Sequence, residues 1–159
     1  MTDSGLTAIL PQLVSGAPHT HALGFSLVSH DDGVAILKAP YREEMIGDPD
    51  TGVLAGGFVT TLLDHTSGVA VWLALGRYVS IATLDLRIDY MRAAKPGLDL
   101  YARARCYKLT RSIAFVRAWA YDETPDDPVA AAQSTFMIDS DGGRTLGSNL
   151  KPARGKAQP

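Results

Sequence analysis

Residues 52 to 75, GVLAGGFVTTLLDHTSGVAVWLAL, are mostly apolar, yet they hold a glycine pair, Gly56–Gly57, near the start and one carboxylate, Asp64, in the middle. No lysine or arginine occurs between Arg42 and Arg77 to pair with it locally. A carboxylate flanked by Leu62, Leu63 and Val69 is costly to bury unless it is paired or has a chemical task. It is therefore a helix-surface aspartate, half of an ion pair with a distant arginine, or a general base or nucleophile. The glycines are either loop punctuation and close packing, or bare N–H groups at a helix start that can hold a developing oxyanion.

The spacing constrains how both could act on one substrate. Eight residues of helix at ~1.5 Å rise separate Gly56 from Asp64 by roughly 12 Å. A reacting carbonyl has to sit about 3 Å from each group. One chain cannot supply both, so Asp64 is expected to meet the Gly56 end of a neighbouring subunit, which predicts a homodimer with its site at the interface.

The elements that must position these residues follow from periodicity. Residues 4 to 15 place Leu6, Ile9, Leu10, Leu13 and Val14 on one helical stripe, with Ser4 at its start and Gly16 at its end. LGFSLVSHDDGVAILKAP reads as a hairpin, and residues 41 to 54, with Gly47, Pro49 and Gly52, as a loop. Residues 56 to 75 form a long helix, apolar on most sides and so buried on most sides. After Gly76 the period changes to two. Ala82, Leu84, Leu86, Ile88 and Tyr90 share one strand face, and Thr83, Asp85, Arg87 and Asp89 the other. Three further strands, near 98–108, 112–122 and 129–139, complete a four-strand meander. The fold class is α+β, a curved antiparallel sheet wrapped around the one helix apolar enough to be enclosed. The chain divides into a helical lead-in over 1–20, a single domain over 21–141 and a flexible tail over 142–159.

Composition excludes several classes. With 159 residues, 46% hydrophobic, 20% charged and a net charge of −2, the chain reads as globular and offers no basic surface for nucleic acid. Its single cysteine, Cys106, excludes an intrachain disulfide and is read as a core residue. His19, His21 and His30 are scattered without carboxylates at ligand spacing, so no metal is expected, and no cofactor motif is present. Residues 58 to 75 are long enough to span a bilayer, but Thr60, Thr61, Asp64, His65, Thr66 and Ser67 favour a buried soluble helix. No charged leader precedes a long apolar run, and the location expected is cytoplasmic. His65 follows Asp64 directly, but helix neighbours point ~100° apart, so it is at most a substrate contact. Trp72 and Trp119 are read as core, with an acyl pocket as the alternative.

GVLAGGFVTTLLDHTSGVA followed by TLDLRIDYMRAAKPG resembles the hotdog-fold acyl-CoA thioesterases of the phenylacetate-pathway, PaaI-like type, from about Leu23 to Ile138. Gly52, Gly56, Gly57, Asp64, Thr83, Leu86 and Tyr90 match that pattern. The resemblance implies a sheet-around-helix fold, dimers that often pair into tetramers, an acyl-CoA substrate and a site between subunits. It implies Asp64 as base or nucleophile, the Gly56–Gly57 backbone as oxyanion donor and Thr83 as a water-positioning hydroxyl. It places Ala55 where the family has a substrate-contacting histidine and Pro49 where it has an asparagine. It places Gly68 where some relatives have a water-holding threonine. Arg111 stands where a basic residue often meets the phosphates of coenzyme A. The rival readings are a hotdog hydratase or dehydratase and a non-catalytic acyl-CoA-binding module.

Overall fold

The computed structural model describes residues 4–139; the tail expected from residue 142 lies outside them. α1 (Ser4–Ser15) buries Leu6, Leu10 and Val14 in the same core as the rest of the chain, and Gly16 N–H closes it on the Gln12 carbonyl at 2.7 Å. A one-and-a-half-turn helix that periodicity did not reveal, α2 (Pro18–Leu23), follows. Proline starts it and Gly24, left-handed at φ 73°, ends it, and six residues are too few to show a helical repeat.

β1 (Ser26–Asp31) and β2 (Val34–Ala39) form the expected hairpin, turning at Asp32–Gly33. The segment read as loop contains a 3-10 turn (Glu43–Met45) and a small ribbon of β3 (Ile46–Asp48) and β4 (Val53–Leu54). Gly47 lies so close to the next element that a Cβ there would sit 2.7 Å from the Ala55 Cα. Tyr41 donates its hydroxyl to the Gly52 carbonyl at 2.7 Å, anchoring the ribbon.

α3 (Gly56–Leu75) is the enclosed helix; β5 (Ile81–Tyr90), β6 (Leu100–Leu109), β7 (Ile113–Tyr121) and β8 (Ala130–Ile138) follow. The six-stranded antiparallel sheet runs β1-β2-β6-β7-β8-β5. The expected four-strand meander is therefore only three strands long. β5 pairs with β8 rather than β6 and becomes a ten-residue sheet edge. Alternation shows which face of a strand is apolar but carries no information on which neighbour it joins.

By length and composition α3 could cross a membrane. Here eleven of its twenty residues are buried, which places it as the core of a globular fold. The sheet makes room with small residues. Ala102 and Ala104 on β6, Ala114, Ala118 and Ala120 on β7, and Ala130 and Ala132 on β8 all face it, so the bulk of Leu62, Leu63, Val69 and Leu73 fills the gap from the helix side.

One buried ion pair ties the far end of β5 to the β7–β8 turn. Arg92 donates bidentately to Asp122 at 2.6 and 2.8 Å, and the Lys95 and Glu123 N–H groups complete the carboxylate's partners. The Arg92 hydrogen bond leads the causes holding the Asp122 carboxyl well below the usual carboxylate range. A depressed folded pKa adds stability above the unfolded value near 3.9, and that stability is lost as pH falls through the folded one. Asp122→Asn is expected to cost about 2 kcal/mol at neutral pH, since Arg92 keeps its bond to the Asp127 carbonyl, and to flatten the acid side of the stability curve. Urea melts from pH 7 down to pH 3 measure both.

Candidate active site

Asp64 sits in the middle of α3, half-buried on the side facing β5. Its Oδ1 accepts a hydrogen bond from Thr83 Oγ1 at 2.9 Å. Among the described residues no cation lies within ion-pair distance of it and no group donates to Oδ2. The ion-pair reading of Asp64 thus finds no support in these residues.

Strict alternation would have turned Thr83 away from the helix, on the face opposite Leu86, Ile88 and Tyr90. A β-bulge between Thr83 and Asp85 reverses that parity. The inward residues of β8, namely Ile138, Phe136, Ser134, Ala132 and Ala130, pair with Ile81, Thr83, Leu86, Ile88 and Tyr90. Thr83 and Leu86 therefore both face α3, while Leu84 is expelled and stands 56% exposed. The bulge re-aims one side chain, and only pairing with β8 shows it.

Gly56 and Gly57 are the first two residues of α3 and are both exposed. Ala55 occupies the N-cap with extended backbone and no side-chain cap, so neither glycine N–H has an acceptor among the described residues. A Cβ added at Gly57 would meet nothing within 4 Å. Nothing among the described residues crowds that position. What the two N–H groups offer is an open donor pair at the positive end of a twenty-residue helix. The helix is continuous from Gly56 to Asp64, so the separation of roughly 12 Å stands.

The remaining candidates separate clearly. Ala55 is held against Gly47 and donates its N–H to the Met45 carbonyl at 2.9 Å, which places it beside the donor pair. Pro49 lies in the exposed β3–β4 turn between Asp48 and Asp50. Gly68, one turn beyond Asp64, lies against Ile81 and Phe136, where a Cβ would make ordinary contact at 3.5 and 3.8 Å. His65 is taken up elsewhere: its Nε2 bonds the Val14 carbonyl at 3.0 Å and its ring tilts over Phe25. Arg111 stands exposed in the β6–β7 turn, without an ion pair among the described residues. Trp72 is half-buried, donating to the Val79 carbonyl at 2.9 Å. Trp119 contradicts the core reading, since it stands on the outer sheet face, 37% exposed. Cys106 is half-buried at the margin of the core, and burial pushes its thiol up, away from reactivity.

Burial pushes the His65 pKa below its usual range, against smaller raising effects from Val14 and Asp64. A lowered folded pKa contributes stability that is complete above the unfolded value near 6.5 and declines as pH falls towards the folded value. His65→Gln retains an N–H donor for Val14 and is expected to remove that decline, which thermal melts between pH 7 and pH 5 will show.

A sheet wrapped around a helix, with a carboxylate–threonine pair on one flank and free N–H donors at the helix start, has close relatives. The sequence matches the Thioesterase superfamily over residues 51–129. It is 31% identical to human acyl-coenzyme A thioesterase 13 over 116 residues, covering 72% of this chain and 80% of the relative. The chain belongs to the thioesterase superfamily. This thioesterase-superfamily chain is also 26% identical to the medium/long-chain acyl-CoA thioesterase YigI of Escherichia coli K12 over 149 residues, 86% of this chain and 95% of YigI. A variant of the phenylacetic acid degradation protein PaaI from Thermus thermophilus superposes with a TM-score of 0.66 at 26% identity, over 76% of this chain and 98% of that protein. The fold is the hotdog fold, and the solved structures it resembles include PaaI proteins of the group its motifs resemble.

Proposed function

We propose that the protein hydrolyses acyl-CoA thioesters at sites shared between two subunits, each built from Asp64 and Thr83 of one subunit and the Gly56–Gly57 N–H groups of the other. The observation that carries this reading is the Asp64–Thr83 bond: it holds one carboxylate oxygen and leaves the other open. Thr83 fixes the carboxylate, and the free oxygen takes a proton from water as that water attacks the thioester carbonyl. The new C–O bond places charge on the carbonyl oxygen, which the helix N–H groups receive. Collapse breaks the C–S bond, the sulfur takes the proton held by Asp64, and the free acid and coenzyme A leave. The names of the relatives support acyl-CoA as the substrate class.

The shared site also fits the surface of β5. This sheet edge carries exposed Leu84, Tyr90 and Met91, an apolar border suited to pairing with a second copy. The exposed Arg111 is assigned to the phosphates of coenzyme A. A cytoplasmic location accords with a single half-buried thiol. A hydratase would set a histidine beside the acid, and His65 is engaged with Val14 instead. The binding-module reading draws on Ala55 and Pro49, which replace side chains of the family pattern.

Thiol release from a panel of aliphatic and aromatic acyl-CoAs tests the proposal, with sedimentation in parallel. Turnover by a dimer or tetramer is expected. Binding without release would make the chain a module, and full activity in a strict monomer would overturn the shared site.

A further inference from the structure

We propose that Tyr90 is a positioning residue for the oxyanion site: its phenol fixes and polarises the Gly56–Gly57 peptide, which makes the Gly57 N–H a second donor beside that of Gly56. This rests on the hydrolytic reading above and adds to it a residue on a different element.

The Tyr90 hydroxyl donates to the Gly56 carbonyl at 2.7 Å, and Thr60 Oγ1 lies 2.9 Å from the same phenol and 3.0 Å from the same carbonyl. The Ala55 carbonyl opens the ladder of α3, and the Gly56 carbonyl, next in the first turn, has a helical N–H available four residues on, so it needs no side-chain partner. Two hydroxyls nevertheless converge on it. Tyr90 is half exposed, so its ring is not spent on filling the core. A peptide that accepts hydrogen bonds at its oxygen becomes a stronger donor at its nitrogen. The nitrogen of this peptide is that of Gly57, whose N–H finds no acceptor among the described residues and whose α-carbon has open space beside it. Glycine in a helix lowers helical stability, and at position 57 no packing among the described residues demands it. An approaching substrate oxygen is what an open α-carbon admits.

The route to this contact is again the β5 bulge. By reversing parity at Thr83 it leaves both Thr83 and Tyr90 on the helix side, Tyr90 paired with the small Ala130. One edge strand thus holds Asp64 through Thr83 and Gly56 through Tyr90. The two halves of the site, which belong to different active centres in the shared arrangement, are set by a single rigid element.

The test is Tyr90→Phe in the full-length chain, with octanoyl-CoA and phenylacetyl-CoA as probes. A donor is weakened rather than removed, so kcat should fall about tenfold, less than the loss of a whole oxyanion donor, while KM changes little. The Gly57 amide proton should move upfield in a proton–nitrogen correlation spectrum. Unchanged kcat overturns the proposal. So does a loss that follows a lowered melting temperature while the Gly57 resonance stays in place, because that is a tether only. Should Tyr90→Phe fail to fold, 3-fluorotyrosine at position 90 keeps the shape and donates more strongly. At a pH where both phenols are neutral it should raise kcat at constant KM, and no rise overturns the idea. Asp64→Asn assayed beside it separates the two levels. If that variant keeps its turnover, the hydrolytic reading fails. If it is dead while Tyr90→Phe is fully active, only the role of Tyr90 fails.

Discussion

Asp64→Asn is expected to lower kcat for thioester hydrolysis by about 10²–10⁴-fold, the usual worth of a positioned general base, with KM and melting temperature close to those of the parent. The amide keeps an oxygen for the Thr83 hydroxyl, so the contact at 2.9 Å survives. No cation among the described residues is left unpaired, so the penalty of roughly 3–5 kcal/mol for breaking a buried pair does not arise. A neutral amide costs no more to hold half-buried than a carboxylate, and residues kept for function sometimes yield stability when replaced. Thiol-release kinetics and a thermal melt on one purified variant decide the matter. A variant that melts far lower yet keeps its activity per folded molecule would return Asp64 to a structural role.

Much of this site is legible from residue types alone. A lone carboxylate in an apolar helix, eight residues after the first of a glycine pair, points to the proposed chemistry and, because helical rise is fixed, to the proposed second subunit. The long helix is legible because its apolar run has nowhere to go but inside. What the sequence conceals is non-local. The neighbour of β5 depends on which edge of the sheet remains free once β6, β7 and β8 have paired, and alternation is blind to that. The bulge at Thr83–Asp85 cannot be seen in ATLDLRIDY either, where strict parity sets Thr83 with Asp85 and away from the core. Without that one extra residue Thr83 could not reach Asp64. Tyr90 reads as one more apolar-face residue until the Gly56 carbonyl is seen beneath its hydroxyl. Trp119 errs in the opposite sense, because a large aromatic on a strand says core by type and the register says outside. His65 is taken up by the carbonyl of Val14 at the end of α1, and α2 is too short to show a helical repeat.

Gly56→Pro tests the other half of the site without touching a side chain. Proline removes the N–H proposed to receive the oxyanion, and the first helical position is where a helix best tolerates it. Ala55, at φ −60° and ψ 137°, already has the extended backbone that a residue before proline requires. The added carbons approach the Tyr90 hydroxyl at about ordinary contact distance, 3.5 Å for the first of them. The expected result is a folded protein whose kcat is lower by about 10²–10³-fold, the effect of deleting one oxyanion donor. The shared site then makes a stronger claim. Mixed with Asp64→Asn and allowed to exchange subunits, two nearly inactive proteins should regain activity. Each mixed dimer pairs one intact Asp64 with one intact Gly56 at one site and both defects at the other. With half the dimers mixed, about a quarter of the wild-type sites return. If mixed dimers form by mass spectrometry and activity stays at the level of the separate variants, Asp64 and Gly56 do not meet across subunits, and the carbonyl must be bound by another donor nearer to Asp64.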